Sequence, residues 1–353
     1  MALIFADGFD SYSATADLLT RYDAVGSSTY VNFSPTGGRF GGGALVINND
    51  DYFCDKIIPL TGGDPGVNDL FVTFSVMMED LTQEGSAGFI VFSQDGFIGF
   101  GTALFLNGVI LLVSGGVLKV YRGSSFIATG SYPITTDTWY RIEVRLSIHN
   151  SAGQVEIKVN GSSDIYFSGD TYDSGLAGIN VVKFGAQSED GNTYFDDVVI
   201  YSLEGDAPNS FLGDLRIATI RPDGDGDSSD STPLSGDRYT NVDDTAMHDG
   251  DSSYVAMGLD DEDLYTVGAL PYTPAAVYAV VTNVACRADG TTPRTIRGKV
   301  KSGTTEGNGE DRPVAYGSSY KTVQNCFALN PDTTAAWTAS DIDTLQIGQE
   351  VTL

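Results

Sequence analysis

Carboxylates are the reactive side chains this sequence holds in excess, 47 Asp and Glu against 19 Lys and Arg, with only two histidines. Two carboxylates projecting into one cleft can protonate and attack a glycosidic bond. A carboxylate cluster supplemented by carbonyls can instead hold a hard cation through about six to eight oxygens. For the first chemistry, Glu143-Val144-Arg145 is the nearest alternating pair, but Arg145 cannot serve as the second carboxylate. His149 falls at a turn and His248 in an Asp-rich run, neither beside a Ser or Cys nucleophile in a recognisable elbow. Cys286 and Cys326 sit in apolar, strand-like segments and are expected to be buried small hydrophobes rather than a disulfide; Cys54 is the third cysteine. No catalytic residue is assigned, and the chain is expected not to be an enzyme.

For cation binding, Asp223-Gly224-Asp225-Gly226-Asp227-Ser228-Ser229-Asp230 alternates acids as an EF-hand loop does. It lacks the glycine at the sixth position, the closing Glu and helical flanks, so a solvated loop is expected. It opens a run of 13 acids between Asp223 and Asp263 that only Arg238 offsets. Against this background Arg294-Thr295-Ile296-Arg297-Gly298-Lys299-Val300-Lys301 stands out. Alternation places Arg297, Lys299 and Lys301 on one face, and with Arg287 and Arg294 five of the 19 basic residues fall within 15 positions. Arg294, Arg297, Lys299 and Lys301 are therefore the expected assembly interface, docking on Asp-rich loops of another copy in a homo-oligomer such as a trimer. The net charge of −28 excludes a nucleic-acid partner. Gly38-Arg39-Phe40-Gly41-Gly42-Gly43 lacks the Gly-Lys-Ser/Thr ending of a phosphate loop.

The elements that must position these residues are strands. Short β-branched and aromatic runs recur between Gly, Asp, Asn and Ser, helical periodicity is absent, and 42 glycines serve the turns. The pattern predicts an all-β chain of two β-sandwich, jelly-roll-like modules in tandem: residues 1–203, a linker at 204–210, and residues 211–353. Tyr140–Leu146 and Gln154–Val159 flank Asn150-Ser151-Ala152-Gly153 as an antiparallel hairpin, and Tyr194–Tyr201 reads as a closing strand. Ala103–Leu106 is a further candidate strand. In the second module, strands are expected at Ala276–Ala288, Thr295–Lys301 and Tyr320–Leu329, then a short helix after Trp337. No basic n-region, h-region or apolar run of ~20 residues is evident, which predicts cytoplasmic synthesis without export and no membrane insertion.

The Trp139-Tyr140 entry, the hairpin ending in Asn160-Gly161, and Asn192-Thr193-Tyr194-Phe195-Asp196-Asp197 resemble laminin-G-like or concanavalin-A-like sandwiches. Such sandwiches often hold one structural Ca²⁺ where first and last strands meet, which implies Asp7, Asp10 and Asp196 as ligands, with Asp197 facing away. Endoglucanases of that fold carry Glu-x-Asp-x-x-Glu, which is missing here, and Ser93-Gln94-Asp95-Gly96 is not a sialidase Asp-box. Phe211-Leu212-Gly213-Asp214, Asn330-Pro331-Asp332-Thr333 and Trp337…Ile342…Leu345-Gln346-Ile347-Gly348 are similar to a module of tailed-bacteriophage structural proteins. The resemblance implies a virion-surface protein, a capsid decoration or tail component, made in the host bacterial cytoplasm with other virion proteins as partners. The alternative is a tail-fibre adhesin that binds a host surface glycan. Tyr12, Tyr22, Tyr30, Tyr166 and Tyr172 are its candidate stacking rings, and its glycan-binding residues are unknown.

Overall fold

A computed structural model describes residues 3–58, 69–82, 88–93, 108–173, 178–203, 209–290, 292–314, 317 and 319–353. The chain divides into two compact units. The first comprises residues up to Asp10 with Ala14–Ile217, and the second Ser11–Ser13 with Ala218–Leu353. The boundary therefore falls after Ile217, and residues 211–217, expected to open the second module, belong to the first. Most of the expected linker, residues 204–208, lies outside the described residues, as do Ala103–Leu106 and Gln94-Asp95-Gly96.

Among the described residues the first unit is two antiparallel sheets. The larger has the order Ser162–Gly169, Gly153–Val159, Tyr140–Ser147, Asp69–Met78, Thr193–Ser202, Ala44–Ile47 and Val31–Ser34, with Leu3–Asp7 also paired to Thr193–Ser202. The smaller runs Ser125–Thr129, Val117–Arg122, Val109–Ser114, Ile90–Ser93, Val181–Gly185, Phe53–Ile57 and Ala24–Val25. Alternation decides what lies between them. Ile142, Val144 and Leu146 pair in register with Phe74, Val72 and Leu70, and all six are essentially inaccessible. Phe74 and Phe195 from the larger sheet meet Phe184 from the smaller, ring centroids 5.3–6.4 Å apart, in the edge and tilted geometries that aromatic quadrupoles favour.

The second unit is built on a sheet ordered Pro222–Ser229, Glu262–Val267, Gln346–Val351, Thr295–Ser302 and Thr305–Asn308, with Arg312–Pro313 added to Thr295–Ser302. A separate ribbon pairs Val280–Cys286 with Lys321–Phe327. Val300 of the sheet and Phe327 of the ribbon share a core with Trp337, Ile342 and Leu345. The expected helix is the single turn Ala339–Ile342, capped reciprocally by Thr338 and Asp341. Pro222–Ser229, expected as a solvated loop, is an edge strand in which half-buried and exposed residues alternate. The three cysteines are free, and Val281, not Cys286, faces Cys326 across the ribbon. Burial pushes the Cys286 and Cys326 thiols up to about 12, which leaves them inert.

Candidate functional site

The same alternation that fills the core sends the charged residues of Tyr140–Ser147 to the outer face of the larger sheet. Register then assembles rows across strands. Tyr201, Phe71, Arg145, Glu156 and Tyr166 form one row, and Val199, Thr73, Glu143 and Lys158 the next. Beyond them, Asp196, Ser75 and Arg141 form a third. Tyr201 stacks on Phe71 with centroids 4.8 Å apart and planes 4° apart, and the Arg145 guanidinium lies 5.8 Å from the Phe71 ring.

The segment Ser210–Ile217 lies across part of this face. Phe211 stands edge-on to Phe71 at 5.3 Å, with Lys158 Nζ 4.3 Å from the centre of its ring. Tyr201 donates its hydroxyl to the Ser210 carbonyl (2.8 Å), Gly213 N–H donates to Glu143 Oε1 (2.8 Å), and Ile217 N–H donates to Asp197 Oδ1 (2.7 Å). Asp214 pairs with Arg39, and Arg39 and Arg216 both lie on the Phe40 ring. Gly213 sits at φ +74°, a left-handed conformation that a residue with Cβ adopts at a cost. The segment acts as a strap held by one aromatic anchor and three backbone hydrogen bonds.

Beneath and beside the strap lies a buried polar cluster. Thr73, Arg141, Glu143 and Asp197 are each at most 1 % exposed. Arg141 Nη1 donates to the Asp197 carbonyl (2.9 Å). Thr73 Oγ1, Arg141 Nε and Nη2, Glu143 Oε2 and Asp197 Oδ2 have no hydrogen-bond partner among the described residues. Buried polar atoms are rarely left so, and several on adjacent strands mark a site rather than a core. Burial lowers the Arg141 guanidinium to about 10 against the opposing pull of Asp197 and Glu143. Burial, followed for Asp196 by repulsion from Asp197, pushes both carboxyls above their usual range; the Ile217 N–H, Arg141 and Arg39 partly offset this at Asp197. The cluster thus sets two carboxyls, both pushed upward by burial, beside a fixed cation.

Sequence reasoning named Glu143 and Arg145 but not Thr73 or Arg141. The signal was present in Tyr140–Leu146, where three charged residues alternate with apolar ones in a strand whose neighbours are too apolar for a sheet edge. The placing of Asp197 is corrected. A bulge between Asp196 and Val199, with Asp197 at φ +51°, breaks the alternation that was to turn it away.

The three acids implied as Ca²⁺ ligands have separate partners. Asp7 accepts from Arg21 (2.7 Å) and from Phe9 N–H, and Asp10 accepts from Gly43 N–H (2.9 Å). Asp196 accepts from Arg39 N–H (2.8 Å) and from Asp197 N–H. Among the described residues the acids close enough to share an ion are Asp50, Asp51 and Glu189 instead.

The basic stripe is corrected as a docking surface. Arg297 pairs with Glu350 and Asp311, Lys301 with Asp227, and Lys299, 3 % exposed, with Glu262, Glu306 and Glu350. Alternation holds, but the same sheet supplies most of the acids: Glu350 and Glu306 from the flanking strands, Glu262 and Asp227 from strands beyond them, with Asp311 from outside the strands. Arg294 donates to the Pro293 carbonyl (3.3 Å). Of the candidate stacking tyrosines, Tyr12 and Tyr22 are core and Tyr30 stacks on Tyr52, whereas Tyr166 and Tyr172 are exposed. His149 Nδ1 accepts turn N–H groups from Ser151 and Ala152, and His248 stacks on Tyr320.

No protein-family model matches the chain, and no curated protein matches it in sequence. Solved structures do. An alginate lyase, Aly36B, is 14 % identical, with 57 % of this chain and 98 % of that one covered, at a TM-score of 0.41. The catalytic domain of a glycoside hydrolase family 131 protein from Coprinopsis cinerea is 17 % identical over 61 % and 99 %, at 0.38. A sialidase is 16 % identical over 57 % of this chain and 19 % of its own, at 0.39. The expectation that the chain is not an enzyme is corrected by this finding: its structural matches include a lyase and a hydrolase catalytic domain. That expectation rested on acid pairs, histidines and nucleophiles sought along the sequence, whereas here Glu143 and Asp197 reach one face from different strands. Likeness at this level identifies no activity for the chain itself.

Proposed function

We propose that the first unit recognises a saccharide across the uncovered part of its larger sheet. The observation that carries this reading is the row Arg145, Glu156 and Tyr166, in register on three neighbouring strands, with Tyr166 66 % exposed. A pyranose offers an apolar C–H face for a ring and equatorial hydroxyls for planar, charged hydrogen-bonding groups. A glycan array probed with the full chain tests it. Tyr166→Ala is expected to weaken binding at least tenfold, with hydrogen exchange in Tyr140–Ser147 unchanged. An array with no bound glycan, or one unaffected by the substitution, overturns the reading.

Glycan cleavage is a second reading, favoured by the raised carboxyls of Asp196 and Asp197 beside Arg141 and Glu143. A general acid must hold its proton near neutrality. Oligosaccharides released from array-positive glycans by wild type, but not by Asp197→Asn, support it; their complete absence refutes it.

The virion-surface setting, with other virion proteins as partners, is the part of the proposal that rests on resemblance. Phe211-Leu212-Gly213-Asp214 falls in the first unit, so Asn330–Thr333 and Trp337–Gly348 carry that resemblance for the second. Immunogold labelling of intact particles with an antibody against residues 218–353 supports the setting if particles are decorated and removes it if they are bare. Homo-oligomer formation, once rested on the basic stripe, has lost that surface to pairs within the sheet.

A further inference from the structure

We propose that Asp50, Asp51 and Glu189 form a divalent-cation site suited to calcium at the rim of the first unit. One carboxylate oxygen from each lies within 4.8 Å of the others. That is the span of oxygens sharing one ion at about 2.3–2.6 Å. A second observation points to an occupant. Asp50 is 4 % exposed, and its Oδ1 has no hydrogen-bond partner among the described residues. A carboxylate taken out of water normally finds a cation or several donors. Here, among the described residues, its only hydrogen-bond contacts are with Glu189 and its own backbone, its charged neighbours are Glu189 and Asp51, and no ion pair engages any of the three. Asn48 Oδ1, two residues earlier, is also buried without a partner.

The fold holds both sides of the site. Pairing of Ile47 with Thr193 brings the turn after Ala44–Ile47 beside the loop that precedes Thr193. The turn is fixed by Asp51 N–H to Asn49 Oδ1 (3.0 Å) and Tyr52 N–H to the Asn49 carbonyl (3.2 Å). The loop is fixed on either side of Glu189. Gln187 N–H donates to Thr193 Oγ1 and its amide closes on both backbone groups of Val113, while Ser188 donates to Asp80. Positions fixed before binding spare the ion most of the ordering cost. Asp50 closes the inner side, and the exposed Glu189 leaves the outer side open to entry and to completing waters. An all-oxygen, three-carboxylate set selects a hard cation over zinc, which takes imidazole and thiolate. The set shares no member with Asp7, Asp10 and Asp196.

The test is calorimetric titration of the chelator-treated full chain with calcium chloride, paired with melting curves. Wild type and Asp196→Asn are expected to take up one ion per chain and to melt higher with calcium. Glu189→Gln, at an exposed position, is expected to bind at least tenfold more weakly. Asp50→Asn should bind as weakly, yet melt no lower than wild type in chelator, because it removes a carboxylate from a repelling trio. No uptake by wild type overturns the proposal, as does unchanged uptake in Glu189→Gln or a loss confined to Asp196→Asn.

Discussion

Lys299→Met removes one charge while keeping most of the buried stem, and the structure gives its consequence. The Lys299 side chain is 4 % exposed and its ammonium serves Glu262, Glu306 (3.0 Å) and Glu350 (3.4 Å), whose side chains are 19 %, 39 % and 19 % exposed. Removing one partner of a fully buried pair costs about 3–5 kcal/mol, because the other charge stays behind. Water reaches these carboxylates in part, which places the loss at about 2–3 kcal/mol. In a unit of this size that shifts Tm by on the order of 10 °C. Hydrogen exchange at the amides of Thr295–Ser302 reads the loss locally in the full chain.

The pH dependence of this loss has a definite sign. Although burial opposes it, Arg297 and Lys299 hold the Glu350 carboxyl below its usual range, so its contribution is present above the unfolded value and fades in acid. Burial likewise opposes the shift at Lys299, but Glu262 and Glu306 raise its ammonium, so that contribution persists until pH climbs past ~10. The gap between wild type and Lys299→Met is therefore widest at neutral pH and closes as pH falls below ~4. Equal exchange rates in the two proteins, with a lower oligomeric mass for Lys299→Met, would refute the reasoning and restore the stripe as a docking surface.

Gln187→Leu strands the N–H and carbonyl of Val113 that the buried amide now satisfies, and is expected to cost roughly 2–4 kcal/mol in urea denaturation. In chelator the folded chain binds protons at Asp196 and Asp197 more readily than the unfolded chain, because burial raises both carboxyls. Stability should rise as pH falls from neutrality toward the ordinary carboxylate range, and Asp196→Asn should flatten that slope in melts across pH.

What could be read from the residues, and what could not, divides by the range of the interaction. Tyr140–Ser147, Gly153–Val159 and Thr193–Ser202 fall where alternation placed them, since a strand with one buried face carries its register in its own side chains. Pro222–Ser229 escaped because Gly and Asp depress β-propensity; pairing with Glu262–Val267, an Asp223–Thr266 hydrogen bond and the Asp227–Lys301 pair override it. Asp197 escaped because a bulge shifts phase without a composition signal. Phe211 and Leu212 looked like the start of a module because their partners, among them Phe71, lie far away in sequence. The basic stripe was located correctly on its strand but not in its surroundings, since Glu350, Glu262 and Glu306 come from three different strands.

The strap also orders events during synthesis. Every strand of the sheet it covers precedes it, so Asp69–Met78, Tyr140–Ser147 and Thr193–Ser202 emerge from the ribosome before Phe211 does. Through that interval the nascent sheet presents Phe71, Val199 and Tyr201 to solvent as one apolar patch beside buried-to-be charge. Such a surface attracts chaperones and other nascent chains. A translation pause that holds Ser210–Ile217 inside the exit tunnel would lengthen that exposure, whereas a pause after Ile217 has emerged would come too late to matter for this face.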